Sequence, residues 1–313
     1  IHIPELNQKF RIYSTDNKGH GTIELLNNLI IEKKRIRSTG EINDIIDPSI
    51  LPQYKSQPSS RMIGNQNFSK TIDTVDIMVV YTPEAYKWFN LNSNGIDNSI
   101  ANQIEYLNLC LENSQTNTLF NLVYSGLTNY VFNPNTATNY MDALAALIIK
   151  DDGVMDEIHL IRDQYYADIV TLVAEIQGVG GVSSGISYKT GNSEMEAFNV
   201  CSSNSWEWDN GVLAHEVGHN FGAGHNRMQL ESPGPKGWPD WPENDWSAGW
   251  KWTYDGSTGP SGEPNGFTYY YADEMSYGGN SSFYPDSSMC ILVPYFSNPD
   301  VIHKGYPTGD PLL

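Results

Sequence analysis

The chain has 313 residues, 39% hydrophobic and 18% charged, a balance that supports a folded core and excludes a wholly disordered polypeptide. Its formal net charge of −19 argues against nucleic acid or an anionic membrane surface as a partner, because the long-range field repels both. No stretch approaches 18 consecutive apolar residues, and the opening Ile1-His2-Ile3-Pro4-Glu5 lacks the basic start and apolar run of a signal peptide, so the chain is expected to be soluble with any export signal already removed or left out.

In chain order, Gly21 to Leu25 and Leu29 to Glu32, flanking Asn27-Asn28, read as two short strands around a polar turn. A basic patch follows from Lys33 to Arg37, and the aperiodic polar tract Gln53 to Lys70 reads as a linker. Residues 1–72 are thus set apart from 73–313. The β-branched run Val75 to Tyr81 suits a buried strand, and Thr82 before Pro83-Glu84 is a capped helix start. A helix from about Ile96 to Glu112 follows from the recurrence of Ile100, Ile104, Leu107 and Leu111 on one face. Leu119 to Val123 reads as strand, Tyr140 to Ile149 and Asp156 to Tyr165 as helices, and Ala167 to Ala174 as an apolar strand. This mixture predicts an α/β or α+β architecture. Beyond residue 225 proline, glycine and tryptophan dominate, which predicts a loop-rich region with a hairpin around Trp250-Lys251-Trp252.

The segment His215-Glu216-Val217-Gly218-His219-Asn220-Phe221-Gly222-Ala223-Gly224-His225 carries chemistry. Residues four apart lie one helical turn above each other, so His215 and His219 can direct ring nitrogens to one cation. Gly222 can take a positive φ, end the helix and let His225 return as third ligand. Three imidazoles leave a fourth position for water, the mark of a catalytic rather than a structural Zn2+ site. Glu216, flanking the first ligand, is placed to serve as general base. Chance gives such a match at the five fixed positions on the order of ~1 in 10^5, so an ordinary core-histidine reading is set aside. His20, His159 and His303 have no partner at metal-ligand spacing and read as ordinary histidines.

At every fixed position this segment matches the metzincin pattern H-E-x-x-H-x-x-G-x-x-H, and the chain resembles that clan of metallopeptidases. The tail Pro294 to Val301 with Gly305-Tyr306-Pro307 is similar to that of bacterial reprolysin-like peptidases, including the peptidyl-Asp metalloendopeptidase group. The resemblance implies a twisted, mostly parallel sheet, a long active-site helix, an upper subdomain to about residue 222 and a lower, loop-rich one over 223–313. It implies a methionine turn at Met275, with Tyr277 as a zinc-associated tyrosine able to stabilise the tetrahedral intermediate, as in astacins and serralysins. Glu274 stands where a small aliphatic residue is usual before that methionine. The glycine-rich stretch holding Gly181, Val182, Ser183, Gly185 and Ile186 lies where metzincins place the edge strand that pairs with substrate. The position of Cys201 implies a bridge to Cys290, leaving Cys110 over. Residues 1–72, with Asp47 to Pro52, are similar to the end of a propeptide, which implies a zymogen whose N-terminal segment inhibits intramolecularly.

The expected function is a secreted zinc-dependent endopeptidase acting on protein or peptide substrates. Two alternatives stand beside it: a catalytically silent zinc-containing peptide-binding protein, and an active peptidase with a permanent N-terminal accessory domain. A thermolysin-like ligand set with Glu231 is disfavoured, because Ser232-Pro233-Gly234-Pro235 cannot continue the helix it requires. Ca2+ is compatible with the many carboxylates, but no loop has the regular acidic spacing of a recognisable calcium site. The tryptophans at 238, 241, 246, 250 and 252 read either as core or as a substrate surface.

Overall fold

The computed structural model describes residues 72–132, 139–185, 197–208, 211–226, 247–253, 269–276 and 289–312, and the strand backbone at 2–3, 8–14, 21–26 and 45–46. Strands β1 (His2–Ile3), β2 (Gln8–Ser14) and β3 (Gly21–Leu26) form an antiparallel sheet in which Lys9 to Ser14 pair with Leu26 to Gly21. The strand expected at 21–25 is present, but it pairs with the upstream segment. The second expected strand at 29–32, the basic patch and the 53–70 linker lie outside the described residues.

A second sheet carries the site. Its first member, β4 (Ile45–Ile46), comes from the N-terminal region, and β5 (Asp73–Tyr81) follows it in the chain. Helix α1 (Pro83–Asn92) starts as its sequence dictates: the Thr82 Oγ1 accepts the Ala85 N–H at 3.0 Å, and proline takes the first turn. Then come α2 (Ile96–Asn113), β6 (Thr118–Leu127), α3 (Asn139–Ile148), α4 (Asp156–Tyr165), β7 (Ile169–Ala174), β8 (Gly181–Ser184), β9 (Phe198–Ser202), α5 (Ser203–Trp208) and α6 (Val212–Asn220). The strand order is β4-β8-β9-β7-β5-β6, parallel throughout except that β8 runs antiparallel to β9.

Both faces of this sheet are covered, which is why β5 and β7 read as unbroken apolar runs rather than alternating ones. Ile77 and Val79 pack with Phe89, Ile100, Leu107, Trp206 and Val217 on the side of α1, α2, α5 and α6. Met78 and Val80 point the other way, into Leu144, Leu147, Ile158 and Leu172 beneath α3 and α4. Alternation of side chains along β5 thus serves two hydrophobic cores at once.

The C-terminal part is anchored to this framework. Strands β10 (Lys251–Thr253), β11 (Tyr269–Ala272) and β12 (Met289–Leu292) form a small sheet, and β13 (Ile302–His303) pairs with β14 (Tyr306–Pro307). Of the hairpin expected around Trp250-Lys251-Trp252, residues 251–253 form β10, whose antiparallel partner β11 lies well downstream rather than in the adjoining sequence. The tail is lashed to the end of α2: the Asn113 Nδ2 donates to Pro294 O at 2.8 Å, Phe296 N to the Ser114 Oγ at 2.7 Å, and the Asn298 Nδ2 to Ser114 O at 2.8 Å. Among the described residues no helix is long and apolar enough to cross a membrane.

One expectation about the site helix is corrected here. It is not long: α6 has 9 residues, confined between Gly211 and the turn at Gly222.

Candidate metal centre

Helix α6 brings His215 and His219 onto one face, both fully buried. It ends by a paired set of terminal hydrogen bonds, Gly222 N to His219 O and Ala223 N to Gly218 O, both 2.9 Å. That Schellman arrangement needs a left-handed residue, and Gly222 supplies it at φ +84°. The chain then turns back and is fixed by a short bridge: Gly224 N donates to Ser247 O at 2.7 Å and Gly249 N to Gly224 O at 2.9 Å. His225 is thereby delivered to the other two histidines, only 3% exposed.

The protonation of two rings follows from their partners. A carbonyl can only accept, so His215 donates its Nδ1–H to Glu274 O at 2.6 Å and His219 donates its Nδ1–H to Ala223 O at 2.8 Å. Both Nε2 atoms therefore present lone pairs. These face one another at 2.9 Å, and the His225 Nε2 stands 3.2 Å from that of His215. Facing lone pairs repel unless a cation lies between them. Tetrahedral zinc with nitrogen ligands at 2.0–2.1 Å sets those nitrogens about 3.3 Å apart, close to the observed spacing. Among the described residues this is the one group of three or more side chains able to hold a metal ion. The donor set fits zinc.

Glu216 is fully buried beside His215 and lies against strand β8. At Gly181 an added Cβ would sit 2.5 Å from the Glu216 Oε1 and 2.6 Å from its Cδ, so the carboxylate occupies the space a side chain would fill. Gly181 entered the sequence reading as a backbone partner for substrate; its contact with Glu216 was not legible there. Val182 points into the core beneath α3, and Ser183, Ser184 and Gly185 are buried. The outer edge of β8 carries β4 in parallel, Ile45 opposite Ser183 and Ile46 opposite Ser184.

A buried amide network ties β8 to the metal helix. The Asn199 Nδ2 donates to the Asn220 Oδ1 at 2.8 Å, and the Asn220 Nδ2 donates to Ser184 O at 2.6 Å and Phe198 O at 3.0 Å. Asn220 follows His219 directly, and no sequence signal singled it out.

Below the histidines lies the turn Asp273-Glu274-Met275-Ser276, all four residues buried. Met275 packs so closely on α6 that a Cβ at Gly218 would overlap its Sδ, and one at Gly249 would come within 2.9 Å of its carbonyl carbon. The Asp273 carboxylate accepts from Trp250 N and from the Ser276 hydroxyl, each at 2.9 Å. Burial pushes its pKa up to about 8, with Glu274 adding to the rise and those hydrogen bonds opposing it.

Tyr277, Ile186, Glu231, His20 and the tryptophans 238, 241 and 246 lie outside the described residues. Only the backbone of Cys290 is described, opposite Tyr270, while Cys201 is buried in β9, so their pairing also lies outside. Trp252 is core: it stands with Tyr271 and Tyr295 around His303, and its Nε1 donates to the His303 Nδ1 at 3.2 Å. His159 is buried against the Phe198 ring, away from the three ligands.

Residues 71–259 match Reprolysin_5, the model described as metallo-peptidase family M12. The chain is 33% identical over 176 residues to a peptidyl-Asp metalloendopeptidase of Pseudomonas aeruginosa, covering 51% of this chain and 26% of that one. It is 25% identical over 268 residues to a peptidyl-Asp metalloendopeptidase of Xanthomonas campestris pv. campestris, covering 84% and 53% respectively. The chain thus spans from a quarter to about half the length of these curated relatives. Among solved structures, one described as a chaperone-substrate complex shares the fold at a TM-score of 0.50 and 16% identity, over 78% of this chain and 32% of that one.

Proposed function

The chain belongs to metallo-peptidase family M12, and from that premise we propose that it is a zinc-dependent endopeptidase in which Glu216 acts as general base. The observation that carries the proposal is the convergence of the three histidine Nε2 atoms with the Glu216 carboxylate packed alongside. His215, His219 and His225 would hold the zinc ion, which would supply Lewis acidity to lower the pKa of water and polarise a peptide carbonyl. Glu216 accepts a proton at its carboxylate as water attacks the carbonyl, then returns it to the leaving amine. The resemblance assigns oxyanion stabilisation to Tyr277. Strand β8 offers an extended peptide the main-chain groups of residues 181–184, binding that depends little on side chains. Bonds flanking aspartate are the first to test, because both relatives are named for them.

The N-terminal region is read as an inhibitory prosegment. Two observations support this: β4 occupies the β8 edge that an extended substrate would need, and His215, His219 and Glu216 have no exposed surface. The family match beginning at residue 71 supports a catalytic unit starting at about residue 73. Secretion and a Cys201 to Cys290 bridge belong to the same reading.

The test is mass-spectrometric profiling of cleaved peptides, with and without a chelator, for the intact chain and for chain lacking residues 1–72. Cleavage that zinc restores after chelation, lost in Glu216→Ala protein that still binds zinc, is the expected result. Undiminished cleavage by Glu216→Ala would remove the base assignment. Full activity of an intact, unprocessed chain would end the prosegment reading.

A further inference from the structure

We infer that Tyr106 is a positioning residue for the metal centre, acting through Glu274 on His215. The inference rests on the reading of His215, His219 and His225 as zinc ligands.

Glu274 is fully buried and held at three points. Its N–H donates to Tyr295 O at 2.9 Å, its Oε1 accepts the Tyr106 hydroxyl at 2.6 Å, and its carbonyl accepts the His215 Nδ1–H at 2.6 Å. The last bond fixes the tautomer and the ring angle of the first ligand. It can do so only while the peptide plane after Glu274 is itself fixed. Tyr295 holds the preceding peptide plane from the tail and Tyr106 holds the side chain from α2, so the Glu274 Cα from which the carbonyl projects is pinned on two sides. The α2 attachment is rigid: the neighbouring Gln103 donates its Nε2 to Trp206 O at 2.7 Å and accepts Leu213 N at 3.4 Å, tying α2 to α5 and to the start of α6. Tyr106 and Glu274 are 168 residues apart in sequence, and their contact gives an acidic residue in the turn above Met275 a defined task. Groups that orient a metal-bound imidazole in this way contribute roughly 10–100-fold to metal affinity.

The experiment is zinc competition against a chromophoric chelator, using the full chain. The variants are Tyr106→Phe, Glu274→Ala, the double variant, and Tyr140→Phe as a control tyrosine packed in the other core. Wild type is expected to take up one equivalent of zinc, and Tyr106→Phe to bind it roughly 10–100-fold more weakly. Tyr140→Phe should stay within about threefold of wild type, and adding Tyr106→Phe to Glu274→Ala should change affinity little further. A Tyr106→Phe affinity within about threefold of wild type overturns the inference. So does an equal loss in Tyr140→Phe, which would mark the effect as general destabilisation. If Glu274→Ala does not fold, the comparison of the two tyrosine variants decides alone. Failure of wild type to bind zinc removes the ligand reading itself, and this inference with it.

Discussion

Gly181→Ala isolates the placement of the proposed base. Gly181 has no left-handed φ, so its backbone accepts alanine, and loss of a strand glycine favours folding by about 0.5–1 kcal/mol. The new Cβ would stand 2.5 Å from the Glu216 Oε1 and 2.6 Å from its Cγ, against an ordinary contact distance of 3.4 Å or more. Something must move by roughly an ångström, and the end of a flexible glutamate yields before a sheet strand does. Proton transfer needs heavy atoms about 2.6–3.2 Å apart, and a misplacement of about 1 Å costs on the order of 100-fold, or about 2.7 kcal/mol of transition-state stabilisation. The expected outcome pairs a kcat/KM about 100-fold lower on a quenched fluorescent peptide with unchanged zinc content and an equal or higher melting temperature. In a Glu216→Gln background the same substitution should have almost no further effect, since the group it displaces is already silent. Activity within about threefold of wild type, or an equal loss in both backgrounds, would refute the reasoning.

Asn220→Ala should cost about 1–3 kcal/mol in denaturant unfolding, because it removes donors to Ser184 O and Phe198 O and leaves the Asn199 amide buried; a loss below about 0.5 kcal/mol would show the network to be idle. Chelation should lower the melting temperature by roughly 10 °C, with recovery on adding zinc, since zinc held at 1,000 times its Kd stabilises the folded state by about 4.1 kcal/mol. A metal-free protein melting as the loaded one does would contradict that. Burial lowers the His159 pKa below 6.5, helped by Lys150 and Arg162 and opposed by Asp156 and Asp163. The unfolded chain then binds the extra proton first, so stability falls as pH drops from about 6.5 to the folded-state value and levels off below it. His159→Gln should flatten that acid-side slope in melting temperatures taken from pH 7.5 to 5, and an unchanged slope would assign it elsewhere.

The candidate metal centre was legible because its three histidines fall within eleven consecutive residues, where helix pitch and one glycine bring them together. The sheet was legible from β5 and β7, whose unbroken apolar runs are what burial on two faces demands. A helix of only 9 residues was not foreseen, because the family resemblance implied a longer one and the apolar run did not reveal how tightly Gly211 and Gly222 bound it. Addition of β4 to β8 had no signature, since two residues carry no periodicity. Tyr106, Asn220 and Gly181 were missed as supports for a common reason: each acts on groups more than 20 residues away in the chain, through side-chain hydrogen bonds or one absent Cβ.

The bridge between Gly224 and Ala248 bears on the placement of the third histidine. His225 must be placed to a fraction of an ångström, and it follows the bridge at once, its own carbonyl also accepting the Gly249 N–H at 3.3 Å. The third histidine is therefore set by main-chain bonds to a distant part of the chain, and its place depends on the 247–249 backbone as much as on the helix that carries the other two.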